Sequence, residues 1–163
     1  MRKYGILWAL VCLFALSATA QNNQKIKVLR FSELQKTLQS NADTLYVVNF
    51  WATWCKPCVM ELPSFEKAYQ EFKDKNVKIL LVSLDFESDL QTKLVPFVQR
   101  KKLQPEVWLL NETDYNSFID KVDTSWQGAI PATLIFNNAR KKRHFVEKEL
   151  KHDELNTLIN KYL

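Results

Sequence analysis

Apolar and polar positions along the chain predict strands and helices in alternation. Two stretches, Leu45–Trp51 and Val77–Leu84, are almost wholly apolar and rich in β-branched residues, which is typical of strands covered on both faces. Between them, apolar side chains recur at helical spacing at Leu62, Phe65, Tyr69 and Phe72. This part of the chain is therefore predicted to form a strand, a helix and a second strand.

The flanking segments predict further elements of the same two kinds. Lys27–Phe31 alternates like an edge strand, and Ser32 is expected to cap a short helix behind it. Asn137 and Asn138 are expected to turn the chain, because asparagine tolerates positive φ. The other predicted elements are a helix carrying Leu90, Leu94, Phe97 and Val98, a strand at residues 106–110, a short helix at 114–122, a hairpin of strands at 132–136 and 144–147, and a closing helix carrying Leu155 and Ile159.

This order of elements predicts an α/β fold. Alternating strands and helices that end in a hairpin and a helix are expected to form a central sheet with helices on both faces. Such sheets carry reactive groups at the carboxyl ends of their strands. Cys55 comes shortly after the buried strand that ends at Trp51. Chemistry is therefore expected at this point of the chain.

The beginning of the chain predicts an export signal. A basic start, an apolar run at residues 5–16 and small residues before Gln21 are typical of a signal peptide at residues 1–20. Residues 21–25 are predicted to be a mobile leader and residues 26–163 a single domain, located in the periplasm or otherwise outside the cytoplasm. An uncleaved anchor is the alternative, and only in that case is the protein expected at a membrane.

Composition and charge argue against a nucleic acid partner. The 163 residues, 47% of them apolar and 25% charged, suit one folded domain. Removing Arg2 and Lys3 with the signal peptide lowers the formal net charge from +5 to +3. The dense basic run Arg140–Arg143 lies on the predicted hairpin and contains no aromatic residue. It is interpreted as a solvated turn that protects the sheet edge.

Two cysteines, Cys55 and Cys58, remain after the signal peptide. A bond between them would close too short a loop to stabilise the fold much, so the pair is better explained by chemistry. A purely structural disulfide remains an alternative. A zinc half-site is another alternative, but structural zinc takes four ligands, and His144 and His152 are irregularly spaced.

The segment Phe50-Trp51-Ala52-Thr53-Trp54-Cys55-Lys56-Pro57-Cys58 resembles the active site of the thioredoxin superfamily. Ile130-Pro131 resembles that family's cis-proline. Glu61-Leu62-Pro63, just after the second cysteine, is similar to the TlpA/ResA/DsbE-like branch of exported thiol–disulfide oxidoreductases. The resemblance covers residues 26–163, and it implies a thioredoxin fold with a central mixed β-sheet flanked by helices on both faces.

The spacing of the two cysteines predicts a different task for each. Cys55, at the start of a helix, faces unpaired backbone N–H groups and the positive end of the helix dipole, which stabilise a thiolate. Lys56 adds positive potential, and Pro57 suits the first helical turn because it needs no donor there. Since the thiolate attacks disulfides, Cys55 is the predicted nucleophile and Cys58 the thiol that resolves the mixed disulfide.

The resemblance also points to Glu61 as a catalytic residue. The position of Asn49 is a buried aspartate in thioredoxins, where it relays the proton of the second cysteine, and Asn49 cannot ionise. In the ResA-like branch the residue matching Glu61 lies near the cysteines and tunes their acidity. The alternative for Glu61 is a solvated carboxylate in the early turns of a helix, where the dipole favours negative charge.

Substrate contacts are expected around the cysteines and the cis-proline. The predicted substrate-binding residues are Trp54, Lys56, Pro57, Ile130 and Pro131. Trp51 is expected in the core, whereas Trp126 either lines the substrate groove or packs as an ordinary aromatic. Ala132 separates Pro131 from Thr133, a departure from thioredoxins, which commonly carry threonine directly after the proline.

These features together predict a thiol–disulfide oxidoreductase. By resemblance, its expected role is to reduce disulfides in exported proteins or apocytochromes, as in cytochrome c maturation, with electrons supplied by an upstream thiol donor. No bound cofactor or metal is expected, because the electrons reside in the two sulfurs. A disulfide oxidase or isomerase is the alternative within the same chemistry. A substrate-binding module without turnover is the alternative from a different class.

Overall fold

A computed structural model describes residues 25–163 of the chain. The predicted signal peptide and the leader up to residue 24 lie outside the described residues. The strands are β1 (Lys27–Leu29), β2 (Leu45–Trp51), β3 (Val77–Ser83), β4 (Glu106–Leu110), β5 (Ala132–Asn137) and β6 (Lys142–Val146). The α-helices are α1 (Phe31–Leu38), α2 (Lys56–Phe72), α3 (Val95–Lys101), α4 (Ile119–Val122) and α5 (His152–Tyr162).

The six strands form one mixed sheet in the order β1-β4-β3-β2-β5-β6. The first four strands in that order run parallel, while β5 is antiparallel to both β2 and β6. The parallel strands β2 and β3 pair along their whole length, from Leu45 opposite Val77 to Trp51 opposite Ser83. Both strands therefore end side by side at the carboxyl edge of the sheet.

Helices cover both faces of this sheet, which confirms the predicted fold class. Neighbouring residues of β2 point to opposite sides: Val47 belongs to a core with α2, α3 and α5, and Val48 to a core with α1 and α4. Because both faces are covered, β2 and β3 read as continuous apolar runs rather than as alternating ones. Within residues 25–163, no helix is long and apolar enough to cross a bilayer.

The predicted start of the first helix is wrong by two residues. Helix α1 begins at Phe31 and its N-cap is Arg30, so Ser32 lies inside the first turn. Phe31 makes two tertiary contacts. Its backbone N–H donates to the Glu112 carboxylate at 2.8 Å, and its ring stacks on Phe118. Phe31 at the start of the helix is thus held by contacts with a distant part of the chain, which the local pattern does not report.

The predicted hairpin turn is also displaced. Asn137 is the last residue of β5, β6 already begins at Lys142, and Lys141 carries the positive φ, 53°. Asn138 instead donates its side-chain amide to the carbonyls of Leu38 and Ser40. Asn138 thus ties the hairpin to the end of α1, and neither asparagine supplies the left-handed residue.

Two predicted helices are less regular than their apolar spacing indicates. The segment after β3 forms a 3-10 turn at Glu87–Asp89 and a π-helical turn at Leu90–Leu94 before α3 begins. The helix predicted at residues 114–122 is a 3-10 turn at Tyr115–Ser117 followed by the single turn of α4. The apolar positions of both segments still reach the core.

Candidate active site

Cys55 and Cys58 lie where the strand β2 gives way to the helix α2, at the carboxyl edge of the sheet. They form a disulfide with their Cα atoms 5.3 Å apart. Cys55 is the N-cap of α2, and the backbone N–H of Cys58 donates to its Sγ atom at 3.3 Å. Cys58 is fully buried and Cys55 is 6% exposed, so Cys55 is the more accessible of the two cysteines. Pro57 occupies the first turn of α2.

A buried carboxylate, Asp85, holds the loop that leads into Cys55. It accepts hydrogen bonds from the backbone N–H of Thr53 at 3.0 Å, from the Thr53 hydroxyl at 2.5 Å and from the Ser83 hydroxyl at 2.7 Å. Sequence reasoning missed this residue. The signal was available, because Asp85 follows the end of β3, and the ends of neighbouring parallel strands meet at one edge of a sheet.

Glu61 is buried in the helix α2, one turn after Cys58. One carboxylate oxygen accepts from the Asn49 amide at 2.7 Å and the other from the backbone N–H of Leu150 at 2.8 Å. Burial raises the pKa of Glu61 from its ordinary 4.5 to about 7, against the opposing effect of these two hydrogen bonds. The solvated-carboxylate alternative is therefore wrong. This side chain can gain or lose a proton near neutral pH.

Asn49 joins Glu61 to the strand that follows the cis-proline. Its amide is fully buried and also donates to the Thr133 hydroxyl at 3.1 Å. Thr133 lies directly opposite Asn49 in the antiparallel pairing of β2 with β5. The extra residue Ala132 therefore places the threonine against this buried amide.

The Ile130-Pro131 peptide bond is cis and faces the disulfide. The carbonyl oxygen of Ile130 lies 3.7 Å from the Sγ atom of Cys55. Residues 127–131, which end with this peptide bond, are called the cis-proline loop below. The Glu147 carboxylate accepts from the backbone N–H groups of Gln127 and Ala129, which ties this loop to the end of β6.

The tryptophans around the site have different environments. Trp54 is 60% exposed beside Cys55, whereas Trp51 is buried in the core against Phe97. Trp126 is also buried, packs on Phe50, and donates its indole N–H to the Ala129 carbonyl at 2.9 Å. Of the two alternatives for Trp126, packing is correct, and this packing supports the cis-proline loop from behind. Lys56 and Pro57 are exposed.

The two histidines of the zinc alternative and the first residue of the basic run have partners of their own. His144 stacks on Tyr162, and His152 lies 3.1 Å from the Glu71 carboxylate. The described part of the chain contains no group of three or more His, Cys, Asp or Glu side chains that could hold a metal ion. In the basic run, Arg140 makes a two-pronged ion pair with Asp43.

A mixed sheet with a Cys-x-x-Cys disulfide at a helix start and a cis-proline opposite it defines a thioredoxin-like protein. The profile of the AhpC/TSA family matches residues 15–145, and the chain belongs to this family. A solved thioredoxin-related protein from Neisseria meningitidis serogroup B has the same fold, with a TM-score of 0.63 and 24% identity over 76% of this chain and 87% of that one.

Curated relatives confirm the predicted branch of the superfamily. The thiol-disulfide oxidoreductase ResA of Oceanobacillus iheyensis is 54% identical over 39 residues, which are 24% of this chain and 20% of that protein. The sporulation thiol-disulfide oxidoreductase A of Bacillus subtilis is 29% identical over 106 residues, 61% of this chain and 63% of that protein. The chain thus matches between a fifth and just under two thirds of the length of these relatives.

Proposed function

We propose that this protein is a thiol–disulfide oxidoreductase that uses Cys55 and Cys58 to reduce disulfides in exported proteins. The observation that carries the proposal is the Cys55–Cys58 disulfide at the start of α2, with its accessible sulfur facing the cis Ile130-Pro131 peptide. The names of the curated relatives support the same reaction.

The reaction needs only the two cysteines and a proton acceptor. In the reduced protein, the Cys55 thiolate attacks one sulfur of the substrate disulfide; a bond from Cys55 to that sulfur forms and the substrate bond breaks. The released substrate thiolate takes up a proton. Cys58 then loses its proton and attacks Cys55, which re-forms the protein disulfide and frees the second substrate thiol. Two electrons thus pass from the protein to the substrate. An upstream thiol donor then supplies two electrons to reduce the protein disulfide again.

Glu61 is the group proposed to accept the proton of Cys58. The two residues are three positions apart on α2, so their side chains share one face of the helix. A carboxyl group with a pKa of about 7 exchanges protons readily at neutral pH. The variant Glu61→Gln removes the ionisation while keeping the size of the side chain. It is expected to shift the pH dependence of thiol reactivity, and an unchanged profile would contradict this role.

The substrate contacts and the cellular location extend the proposal. Trp54, Lys56, Pro57, Ile130 and Pro131 are the proposed substrate-binding residues, and the predicted signal peptide at residues 1–20 supports a periplasmic or otherwise extracytoplasmic location. Apocytochromes awaiting cytochrome c maturation are the proposed substrates alongside other exported proteins. Fractionation of cells, with amino-terminal sequencing of the recovered protein, tests both export and cleavage before Gln21.

An insulin-reduction assay with dithiothreitol tests the proposed activity. The wild-type protein should accelerate reduction, Cys55→Ser should abolish the effect, and Cys58→Ser should accumulate a mixed disulfide with the substrate. Equal rates for wild type and Cys55→Ser would indicate a binding module without turnover. The reduction potential tests the direction, since relatives run from about −270 mV for thioredoxin to about −120 mV for a strong oxidant. A value near the upper end would favour an oxidase.

A further inference from the structure

Two exposed aromatic side chains stand at the carboxyl edge of the sheet, and the mechanism above uses only one of them. Among residues 25–163, the exposed large apolar side chains are Val28, Trp54, Met60 and Phe86. Phe86 is 61% exposed and Trp54 is 60% exposed. The ring of Phe86 therefore contributes little to the core, although phenylalanine gains much from burial.

The sheet register places Phe86 and Trp54 just beyond the ends of two neighbouring strands. Trp51 pairs with Ser83 at the ends of the parallel strands β2 and β3, and each exposed aromatic lies three residues beyond its member of that pair. The segments that follow β2 and β3 remain hydrogen-bonded beyond the strands, because the Asp85 carboxylate accepts from the backbone N–H and the hydroxyl of Thr53. Trp54 directly follows Thr53 and Phe86 directly follows Asp85, so each aromatic residue comes next to one end of this hydrogen-bonded contact.

The backbone on both sides of Phe86 is held in place. Asp85 before it is buried and bonded to Ser83 as well as Thr53. The carbonyl of Phe86 itself accepts from the backbone N–H of Asp89 at 2.9 Å, which starts the 3-10 turn. An aromatic side chain on a fixed backbone has little freedom to lose on binding, which makes it a good anchor.

The acidic side chains next to Phe86 along the chain already have partners within the protein. The two carboxylates that follow Phe86 are engaged within the chain, Glu87 by the Asn111 amide and Asp89 by the Lys93 ammonium group. Cys55, the accessible cysteine of the disulfide, directly follows Trp54. A polypeptide that forms a mixed disulfide with Cys55 brings the residues beside its own cysteine close to Trp54 and to this edge of the sheet.

We infer that Phe86 and Trp54 form an apolar docking surface for the substrate polypeptide, which receives an apolar side chain next to the substrate cysteine. The inference rests on the proposed function and adds a substrate preference to it. Phe86 is then a specificity-determining residue. Disulfides flanked by apolar residues, which are accessible only in unfolded or extended polypeptides, are the preferred substrates.

Two matched peptides and one small disulfide test this inference. The peptides carry the same disulfide and differ only beside the reactive cysteine, where one has leucine and the other serine; hydroxyethyl disulfide is too small to reach Phe86. The measured quantity is the ratio of kcat/KM for the leucine peptide to that for hydroxyethyl disulfide. Phe86→Ala should lower this ratio about tenfold, or about 1.4 kcal/mol, and Phe86→Leu should restore most of it.

Val28→Ala is the matched control, because it removes an exposed apolar side chain from β1, the edge strand three positions away from β2. It should leave the ratio unchanged. An unchanged ratio in Phe86→Ala, or an equal loss for the serine peptide, would overturn the inference. Loss of self-association in sedimentation experiments without a change in peptide turnover would also overturn it, since the occupant would be a second copy of the chain.

Failure of the proposed function has a different signature. If wild-type protein turns over neither the peptides nor hydroxyethyl disulfide, both the function and the docking surface are rejected. If it turns over all three disulfides with the same preference in wild type and Phe86→Ala, the function stands and only the docking surface is rejected. The comparison within one set of variants therefore separates the two.

Discussion

The buried carboxyl group of Glu61 should make the stability of the folded protein depend on pH, and Glu61→Gln isolates that dependence. Burial disfavours the charged form, whereas the hydrogen bonds from Asn49 and Leu150 favour it. Burial is the larger effect and raises the pKa from 4.5 to about 7. The folded protein therefore binds the proton of this carboxyl group more tightly than the unfolded chain does.

The size of the effect follows from the shift. One pKa unit corresponds to about 1.4 kcal/mol, so the shift at Glu61 corresponds to about 3 kcal/mol of free energy of unfolding. Because the pKa is raised, this stabilisation is fully present below pH 4.5 and is lost progressively as the pH rises to 7 and beyond. In Glu61→Gln the side chain at position 61 is neutral at every pH, so the variant does not lose this stabilisation as the pH rises.

Urea unfolding of the oxidised protein between pH 4 and pH 8 measures the difference. The Cys55–Cys58 disulfide keeps both thiols from titrating in this form. The free energy of unfolding of Glu61→Gln should rise relative to wild type by about 3 kcal/mol across this range. Asp74→Asn, which removes an exposed carboxylate just beyond the end of α2, measures what the loss of a surface charge does by itself.

A difference between Glu61→Gln and wild type that stays constant with pH would refute the reasoning, since the pKa would then be the same in the folded and unfolded chains. A difference that moves in the opposite direction would refute it more strongly. In that case the two hydrogen bonds, rather than burial, would dominate the environment of Glu61.

Three further outcomes are expected from the loops that hold the disulfide. Asp85→Asn replaces one of the two acceptor oxygens by an NH2 group, so that the hydrogen bonds from Thr53 and Ser83 cannot all be kept, and urea unfolding should show a loss on the order of 1–3 kcal/mol; no loss would mean that the contact is replaced by water. Glu147→Ala leaves two N–H groups of the cis-proline loop without their acceptor, so hydrogen exchange there should quicken and KM for peptide disulfides should rise, whereas an unchanged exchange rate would contradict the tie. In the reduced protein at pH 6, iodoacetamide should modify Cys55 well before Cys58, because Cys55 is the N-cap of α2 and the more accessible sulfur; equal, slow modification would remove the proposed nucleophile.

Three carboxylates thus support three different parts of the site from three different elements. Asp85, beyond the end of β3, holds the loop before Cys55, and Glu147, beyond β6, holds the cis-proline loop. Glu61 lies within α2, one turn after the buried Cys58. Glu61 is the member of the three that the resemblance to known proteins pointed out. The other two act on backbone N–H groups and have no motif of their own.

Local sequence was sufficient where the physical cause is local. The apolar runs at Leu45–Trp51 and Val77–Leu84 predicted the two central strands because a strand covered on both faces needs apolar residues at every position. The position of Cys55 at the start of a helix followed from the same pattern, and with it the electrostatic reason for a reactive thiol. The cis Ile130-Pro131 peptide was expected from resemblance rather than from pattern.

The environment of each site residue depended on partners far away in the chain. Glu61 is buried because Leu150, 89 positions later, covers it and donates to it, and no periodicity around Glu61 reports that contact. Asp85 likewise accepts from Thr53, 32 positions earlier, and Trp126 donates to the carbonyl of Ala129 in the cis-proline loop. The local sequence pattern reports neither contact. The sequence by itself determined the fold class and the location of the two sulfurs, since these follow from local pattern and spacing. Only the tertiary structure decided which side chains are buried and what they bond, because burial and hydrogen bonding are set by segments that meet only when the chain folds.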